Sequence, residues 1–318
     1  MTAPVPTVFF GSGSFAVPVL EALLAAPEVS VAGVVTVPDK PAGRRRVATP
    51  TPIAARARAL GIAVLQPASL RSPEAVEAIR GLRTGLGVLA DYGRIVPSSI
   101  LEFPTAGILN VHPSLLPRWR GASPIPATIL AGDSETGVTV MRMDAGLDTG
   151  PIVGVERWAL DGTEDAHGLE ARAAAAGAQL VGRLIGPWLR GEIEPRPQGE
   201  QGMRITMTRP LRREDGLLDP TRPAVELERQ VRALRPWPGT YFESIAGRIG
   251  VLDATAETGA VAQDRVPGRL GPDGLFAADG SALVLRTVQP AGGRPMSWGE
   301  LLRGRPGLLG STVIAGHA

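Results

Sequence analysis

The residues best suited to chemistry are Asn110 and His112, two apart in the run Gly107-Ile-Leu-Asn-Val-His-Pro-Ser-Leu-Leu-Pro-Arg-Trp-Arg-Gly121. An amide that donates and an imidazole that carries a proton serve a reaction in which a carbonyl oxygen becomes negative while an amine loses a proton. That is acyl-type transfer. The pair alone is weak ground, because a histidine at a strand end is commonly a satisfied structural group. A third group strengthens it. Asp148 stands in the turn Gly146-Leu-Asp-Thr-Gly150, between strand-like runs at 137–143 and 151–155. A carboxylate held there can orient His112 and favour its protonated form.

Positioning these groups requires a strand at 108–112, where alternate residues share a face and Pro113 ends the run. The chain opens with strand 6–10, the turn Gly11-Ser-Gly-Ser-Phe-Ala16 and a helical pattern at 17–24, which is how a doubly wound sheet begins. Helices at 51–60, 73–82, 122–132 and 167–189 alternate with strands at 29–37, 62–66 and 87–90. Residues 1–190 therefore predict an α/β domain with a mostly parallel, Rossmann-like sheet. The stretch 191–207 is rich in Pro, Gly and charge without hydrophobic period, and reads as a linker. In 208–318 a helix at 224–234 precedes short strands at 241–244, 247–252, 268–270, 274–277 and 282–289, a pattern expected of a small OB-like β-barrel.

Composition narrows the chemistry. The 318 residues include no cysteine, which excludes disulfides, thiol nucleophiles and cysteine-based zinc sites. The three histidines, His112, His167 and His317, are too scattered to suggest a metal cluster, so no metal is expected. No apolar run reaches the roughly 18 residues of a membrane span, and no basic, then apolar, leader opens the chain. A cytoplasmic protein is expected. The net charge is only +2, yet the isoelectric point is near 9.6, so the placement of charge matters more than its sum. In the loop 38–52, Lys40, Arg44, Arg45 and Arg46 stand against Asp39 alone, and between Arg204 and Arg235 eight arginines face five acids. Both clusters suit a phosphate backbone. Gly11, Gly13 and Ala16 also match the spacing of a dinucleotide fingerprint, but the second strand lacks the terminal acid that would bind ribose.

The phrase Asn110-x-His112-x-Ser-Leu-Leu-Pro-x-Trp-x-Gly121, followed by Met143-Asp-Ala-Gly-Leu-Asp-Thr-Gly150, resembles the 10-formyltetrahydrofolate-dependent formyltransferases, in particular the branch acting on methionyl-tRNA. Val231-Arg-Ala-Leu-Arg-Pro-Trp-Pro238 and Val288-Gln-Pro-Ala-Gly-Gly with Met296-Ser-Trp-Gly-Glu-Leu-Leu302 extend the likeness to the C-terminal part. The resemblance implies formyl transfer from 10-formyltetrahydrofolate to the α-amine of initiator methionyl-tRNA, by a monomer. It implies catalytic roles for Asn110, His112 and Asp148. Tyr92, Gly93, Ser114, Leu115, Leu116, Pro117 and Asp144 would contact or shape the folate pocket, and Lys40 with Arg44, Arg45 and Arg46 would engage tRNA. Two positions depart from the family's usual phrases: Gly13 stands where proline is common, and Asp91 where alanine precedes Tyr92. Sister formyltransferases acting on nucleotide sugars or glycinamide ribonucleotide, and a formyl-folate hydrolase, would share the catalytic triplet. A tRNA-binding protein without catalysis and a nicotinamide oxidoreductase are the remaining alternatives.

Overall fold

The computed structural model describes residues 3–42, 47–199, 204–257 and 265–314. They form two compact units. The first contains β1 (Val5–Gly11), α1 (Ala16–Ala25), β2 (Val29–Val35), the short pair β3 (Lys40–Ala42) and β4 (Val47–Thr49), α2 (Pro52–Ala59), β5 (Val64–Leu65), α3 (Pro73–Arg80), β6 (Leu86–Ala90), α4 (Ser98–Leu101), β7 (Ile108–His112) and β8 (Arg120–Gly121). After α5 (Pro124–Ala131) come β9 (Glu135–Arg142), β10 (Ile152–Ala159), α6 (Ala166–Leu189) and β11 (Met207–Thr208). Seven strands make one sheet in the order β10-β9-β7-β6-β1-β2-β5. The five strands from β7 to β5 run parallel, while β9 and β10 are antiparallel additions.

Local sequence explains the element boundaries. Thr51 and Ser72 each accept a hydrogen bond from a backbone N–H of the helix that follows, with proline at the next position of α2 and α3. Along β1, Phe9 joins the core under α6 while Val8 and Phe10 join the core on the opposite face. In β7, Leu109 and Val111 likewise take the α6 side and Ile108 the other. The parity places Asn110 and His112 on the side of Ile108, as expected of a strand.

The second unit takes in α5, residues 160–168 and the chain from Pro210 onward. Its α7 (Ala224–Ala233) and α8 (Trp298–Gly304) accompany an antiparallel sheet of β12 (Thr240–Ser244), β13 (Gly247–Ala256), β15 (Ala282–Pro290) and β14 (Gly274–Phe276), with β16 (Met296–Ser297) added on β15. Phe242, Ile249, Leu283 and Trp298 centre its core. This is the expected small OB-like β domain. The strand predicted at 268–270 is absent: Arg269 and Leu270 make only isolated bridges. No helix among the described residues is long and apolar enough to cross a membrane.

Two local expectations change. The loop 38–52 is not irregular throughout, since β3 and β4 pair with Lys40 opposite Thr49. Exposed Lys40 lies at the base of that hairpin, whereas Arg44, Arg45 and Arg46 lie outside the described residues. The stretch 191–207 is tied into the first unit by backbone pairing of Arg196 with Ile152 and of Met207 and Thr208 with Arg120 and Gly121. Backbone polar groups pair wherever partners exist, so absence of hydrophobic period does not make a segment free.

Candidate active site

β7 ends on Asn110 and His112, both nearly buried at 6% and 5% exposure. The turn between β9 and β10 delivers Asp148 to them. Asn110 Nδ2 donates to Asp148 Oδ1 at 3.3 Å, and His112 Nε2 lies 3.4 Å from Asp148 Oδ2. That second approach is close but misaligned, and among the described residues Nε2 has no hydrogen-bond partner.

The other ring nitrogen fixes the proton. Ser114 donates its one hydroxyl hydrogen to the Arg118 carbonyl at 2.6 Å, so across the 3.0 Å separation from His112 Nδ1 it can only accept. Nδ1 therefore carries hydrogen, and in the neutral ring Nε2 keeps its lone pair. Thr139 holds this corner by donating to the Ser114 carbonyl at 2.7 Å and accepting from the Leu116 N–H at 3.1 Å.

Asp148 is held in a left-handed conformation, φ 52°. Its turn needs Gly150, because a Cβ there would lie 1.8 Å from the Arg142 carbonyl oxygen. Asp144 closes the same turn by accepting from the Gly146 N–H at 3.0 Å and the Thr149 hydroxyl at 2.6 Å. Burial alone would raise the Asp148 carboxyl. His112 in its protonated form, the Gly121 N–H that donates to Oδ2 at 2.8 Å, and nearby Arg120 outweigh it and hold the group below the usual carboxylate range.

Among the sequence-predicted folate residues, Tyr92, Ser114, Leu115, Leu116 and Pro117 are buried. Tyr92 stacks edge-on against Phe10 at 5.7 Å, and burial pushes its phenol up to about 12. Gly93 is exposed, with a positive φ and open space around it. The side chains of Tyr92, Leu115 and Leu116 are thus packed inside the protein, and Asp144 organises the Asp148 turn.

Sequence reading missed Gln198. Its Nε2 donates to the carbonyls of Asp148 (2.9 Å) and Gly150 (2.7 Å), while its Oε1 accepts from Arg120 Nε (3.0 Å) and Nη2 (2.7 Å). Thr206 and Thr208 continue the tie by accepting from the N–H groups of Trp119 and Ser123. The only sequence signal was an amide and two hydroxyls in an otherwise featureless stretch.

Strand order reverses between β1 and β6, and β7 with Asn110 and His112 lies beside β6; the carboxyl ends of the strands at such a reversal are the usual ligand position of an open α/β sheet. A buried amide and imidazole beside a partly buried carboxylate at that place suit group transfer. Residues 6–185 match the formyl transferase family and residues 210–306 its C-terminal domain. A methionyl-tRNA formyltransferase of Chloroflexus aggregans is 42% identical over 93% of this chain and 96% of its own. One from Myxococcus xanthus is also 42% identical, over 93% and 94%. The chain belongs to the methionyl-tRNA formyltransferase family. Among solved structures, an N-formyltransferase from Helicobacter canadensis in complex with folinic acid and dTDP-3-aminofucose shares the fold. Its TM-score is 0.66 at 19% identity, covering 88% of this chain and 98% of that one.

Proposed function

We infer that this enzyme transfers the formyl group of 10-formyltetrahydrofolate to the α-amine of methionyl-initiator tRNA. The observation that carries the catalytic assignment is the setting of His112, with Nδ1 3.0 Å from a Ser114 hydroxyl that donates elsewhere and Nε2 turned toward Asp148 without a hydrogen bond. Nε2 takes a proton from the amine as its nitrogen bonds to the formyl carbon and the carbonyl electron pair moves onto oxygen. Asn110 donates its second N–H to that oxyanion. Asp148 stabilises the imidazolium and fixes the Asn110 amide. On collapse the carbon–N10 bond breaks, the N10 of tetrahydrofolate takes the proton from Nε2, and His112 returns to its resting state.

Tyr92, Gly93, Ser114, Leu115, Leu116, Pro117 and Asp144 would hold the folate, which supplies the formyl group. Lys40, Arg44, Arg45 and Arg46 contact tRNA phosphates, and residues 208–318 bind the tRNA body. Catalysis takes place in the cytoplasm. In this reading 1–190 is the transferase domain and 191–207 joins it to the second.

The test is transfer of radiolabelled formyl from 10-formyltetrahydrofolate to methionyl-initiator tRNA by wild type and His112→Ala. Wild type labels the tRNA, and the variant loses at least about 10²-fold in kcat, the usual scale of a general base. Wild type that consumes the donor and leaves the tRNA unlabelled assigns the chain to another acceptor.

A further inference from the structure

Ser12 spends both of its donors on the segment that follows β6. Its N–H donates to the Asp91 carbonyl at 2.9 Å and its hydroxyl to the Tyr92 carbonyl at 3.2 Å. Two successive carbonyls are thereby tied to the end of β1. The residues on either side of Tyr92 have positive φ, 45° at Asp91 and 73° at Gly93. A non-glycine residue keeps that conformation only where its surroundings fix it.

The Ser12 oxygen is itself held. It accepts from Thr36 Oγ1 at 3.3 Å and from the Val37 N–H at 3.4 Å. Both contacts are long, so they have room to tighten. A hydroxyl has one hydrogen, so Thr36, having given its own to Ser12, can only accept from Thr51 across the 2.8 Å between their oxygens. Thr51 in turn accepts from the Ala54 N–H at 3.0 Å. The result is a directed chain, Thr51 to Thr36 to Ser12 to the Tyr92 carbonyl. Turning any one hydroxyl away leaves the next without its donor. Thr36 is 0% exposed, so water has no direct access to its hydroxyl.

Thr36 and Thr51 are the two roots of the β3–β4 hairpin: Thr36 follows β2, and Thr51 stands two residues past β4 and caps α2. The first root is braced from outside as well, since Gln66 Nε2 donates to the Val37 carbonyl at 3.0 Å and to Asp39 Oδ1 at 2.6 Å. A hairpin rooted in this way cannot shift at its base without disturbing Ser12, and Ser12 cannot shift without releasing the Tyr92 carbonyl. Capping α2 needs Thr51 alone. A fully buried hydroxyl at 36 costs desolvation that an apolar residue of the same shape would avoid, so its place is explained by what it links.

We propose that Ser12 is a positioning residue that couples the two substrates: through the chain of hydroxyls the hairpin and the 91–93 segment set each other, so an RNA held by the hairpin and a folate held at Tyr92 and Gly93 each raise the enzyme's affinity for the other. The proposal rests on the hairpin and folate assignments given above. Each ligand fixes one end of the chain in its tightened form, and the second ligand then binds an end already set. The coupling is reciprocal, so the two factors are equal.

The test measures equilibrium binding of folinic acid with and without saturating methionyl-initiator tRNA, and the converse, for wild type, Ser12→Ala, Ser12→Thr and Thr36→Val, with melting temperatures to check folding. Wild type binds folinic acid at least about fivefold tighter when the RNA is present, the low end of ordinary coupling, and binds the RNA tighter by the same factor when folinic acid is present. Thr36→Val keeps the wild-type affinity for folinic acid alone, because Ser12 still reaches Tyr92, and its coupling factor falls below about twofold. Ser12→Ala loses the coupling and also binds folinic acid alone about two- to tenfold more weakly, the scale of one neutral hydrogen bond. Ser12→Thr, which keeps the hydroxyl, keeps both. If Ser12→Ala does not fold, Thr36→Val carries the test. A wild-type factor near one, or an unchanged factor in either Thr36→Val or folded Ser12→Ala, overturns the coupling while the transferase reading stands. Wild type that neither binds nor formylates methionyl-tRNA overturns the reading on which the coupling rests.

Discussion

His112 is defined by what its neighbours leave it. Ser114 uses its only hydrogen on the Arg118 carbonyl, which forces the imidazole hydrogen onto Nδ1 and leaves Nε2 for chemistry. The longer phrase around Asn110 and His112, read with the glycine-bracketed turn of Asp148, made the three residues legible in the sequence, but the tautomer was not, because it depends on a hydroxyl reaching a carbonyl four residues on. Asp148 carries a matching prediction. Its folded pKa lies below the unfolded value of about 3.9, so its contribution to stability is present above that pH and disappears as pH falls through the folded value. Urea midpoints of wild type and Asp148→Asn should differ most at pH 7 and converge toward pH 2. At pH 7 the variant should lose about 10²–10³ in kcat, comparable to removing a transition-state electrostatic partner. A constant gap in midpoint at all pH values would show that Asp148 stabilises by shape alone.

At the scale of elements, capping residues and hydrophobic period made most helices readable: Ser72-Pro73 opens α3 where expected, and α6 runs almost as predicted. The contacts of 196–199 and 204–208 were not readable, because they are hydrogen bonds with backbone groups of distant turns, which leave no periodic mark. Gln198 is their centre. Gln198→Ala leaves the carbonyls of Asp148 and Gly150 and the guanidinium of Arg120 without these partners. We expect a stability loss of about 1–3 kcal/mol and about tenfold lower kcat, through a shift of Asp148 rather than a lost substrate contact. The split is measurable. KM for folate should stay near the wild-type value, and a rise in KM equal to the fall in kcat/KM would assign Gln198 to binding.

At the scale of the whole molecule, alternating strands and helices followed by short strands announced two units, and both are present. The grouping of α5 and residues 160–168 with the second unit was not visible, since sequence order says nothing of which neighbour an excursion joins. With Arg44, Arg45 and Arg46 all changed to Ala, tRNA affinity should fall and the slope of log K against log salt should shallow by up to about two to three units, about 0.7–0.9 per lost phosphate contact. Equilibrium binding between 50 and 200 mM salt measures it. An unchanged slope would move the tRNA contact elsewhere, and the second unit would be searched first.

The contacts of Gln198, Thr206 and Thr208 also set an order of events during synthesis. Every strand of the large sheet has been made once residue 159 is polymerised, and its covering helix once residue 189 is. The turn bearing Asp148 and the loop 117–123 still await Gln198, Thr206 and Thr208. A nascent chain can therefore own a folded sheet and no finished catalytic centre, and competence arrives only as the chain beyond Pro210 begins to emerge from the ribosome.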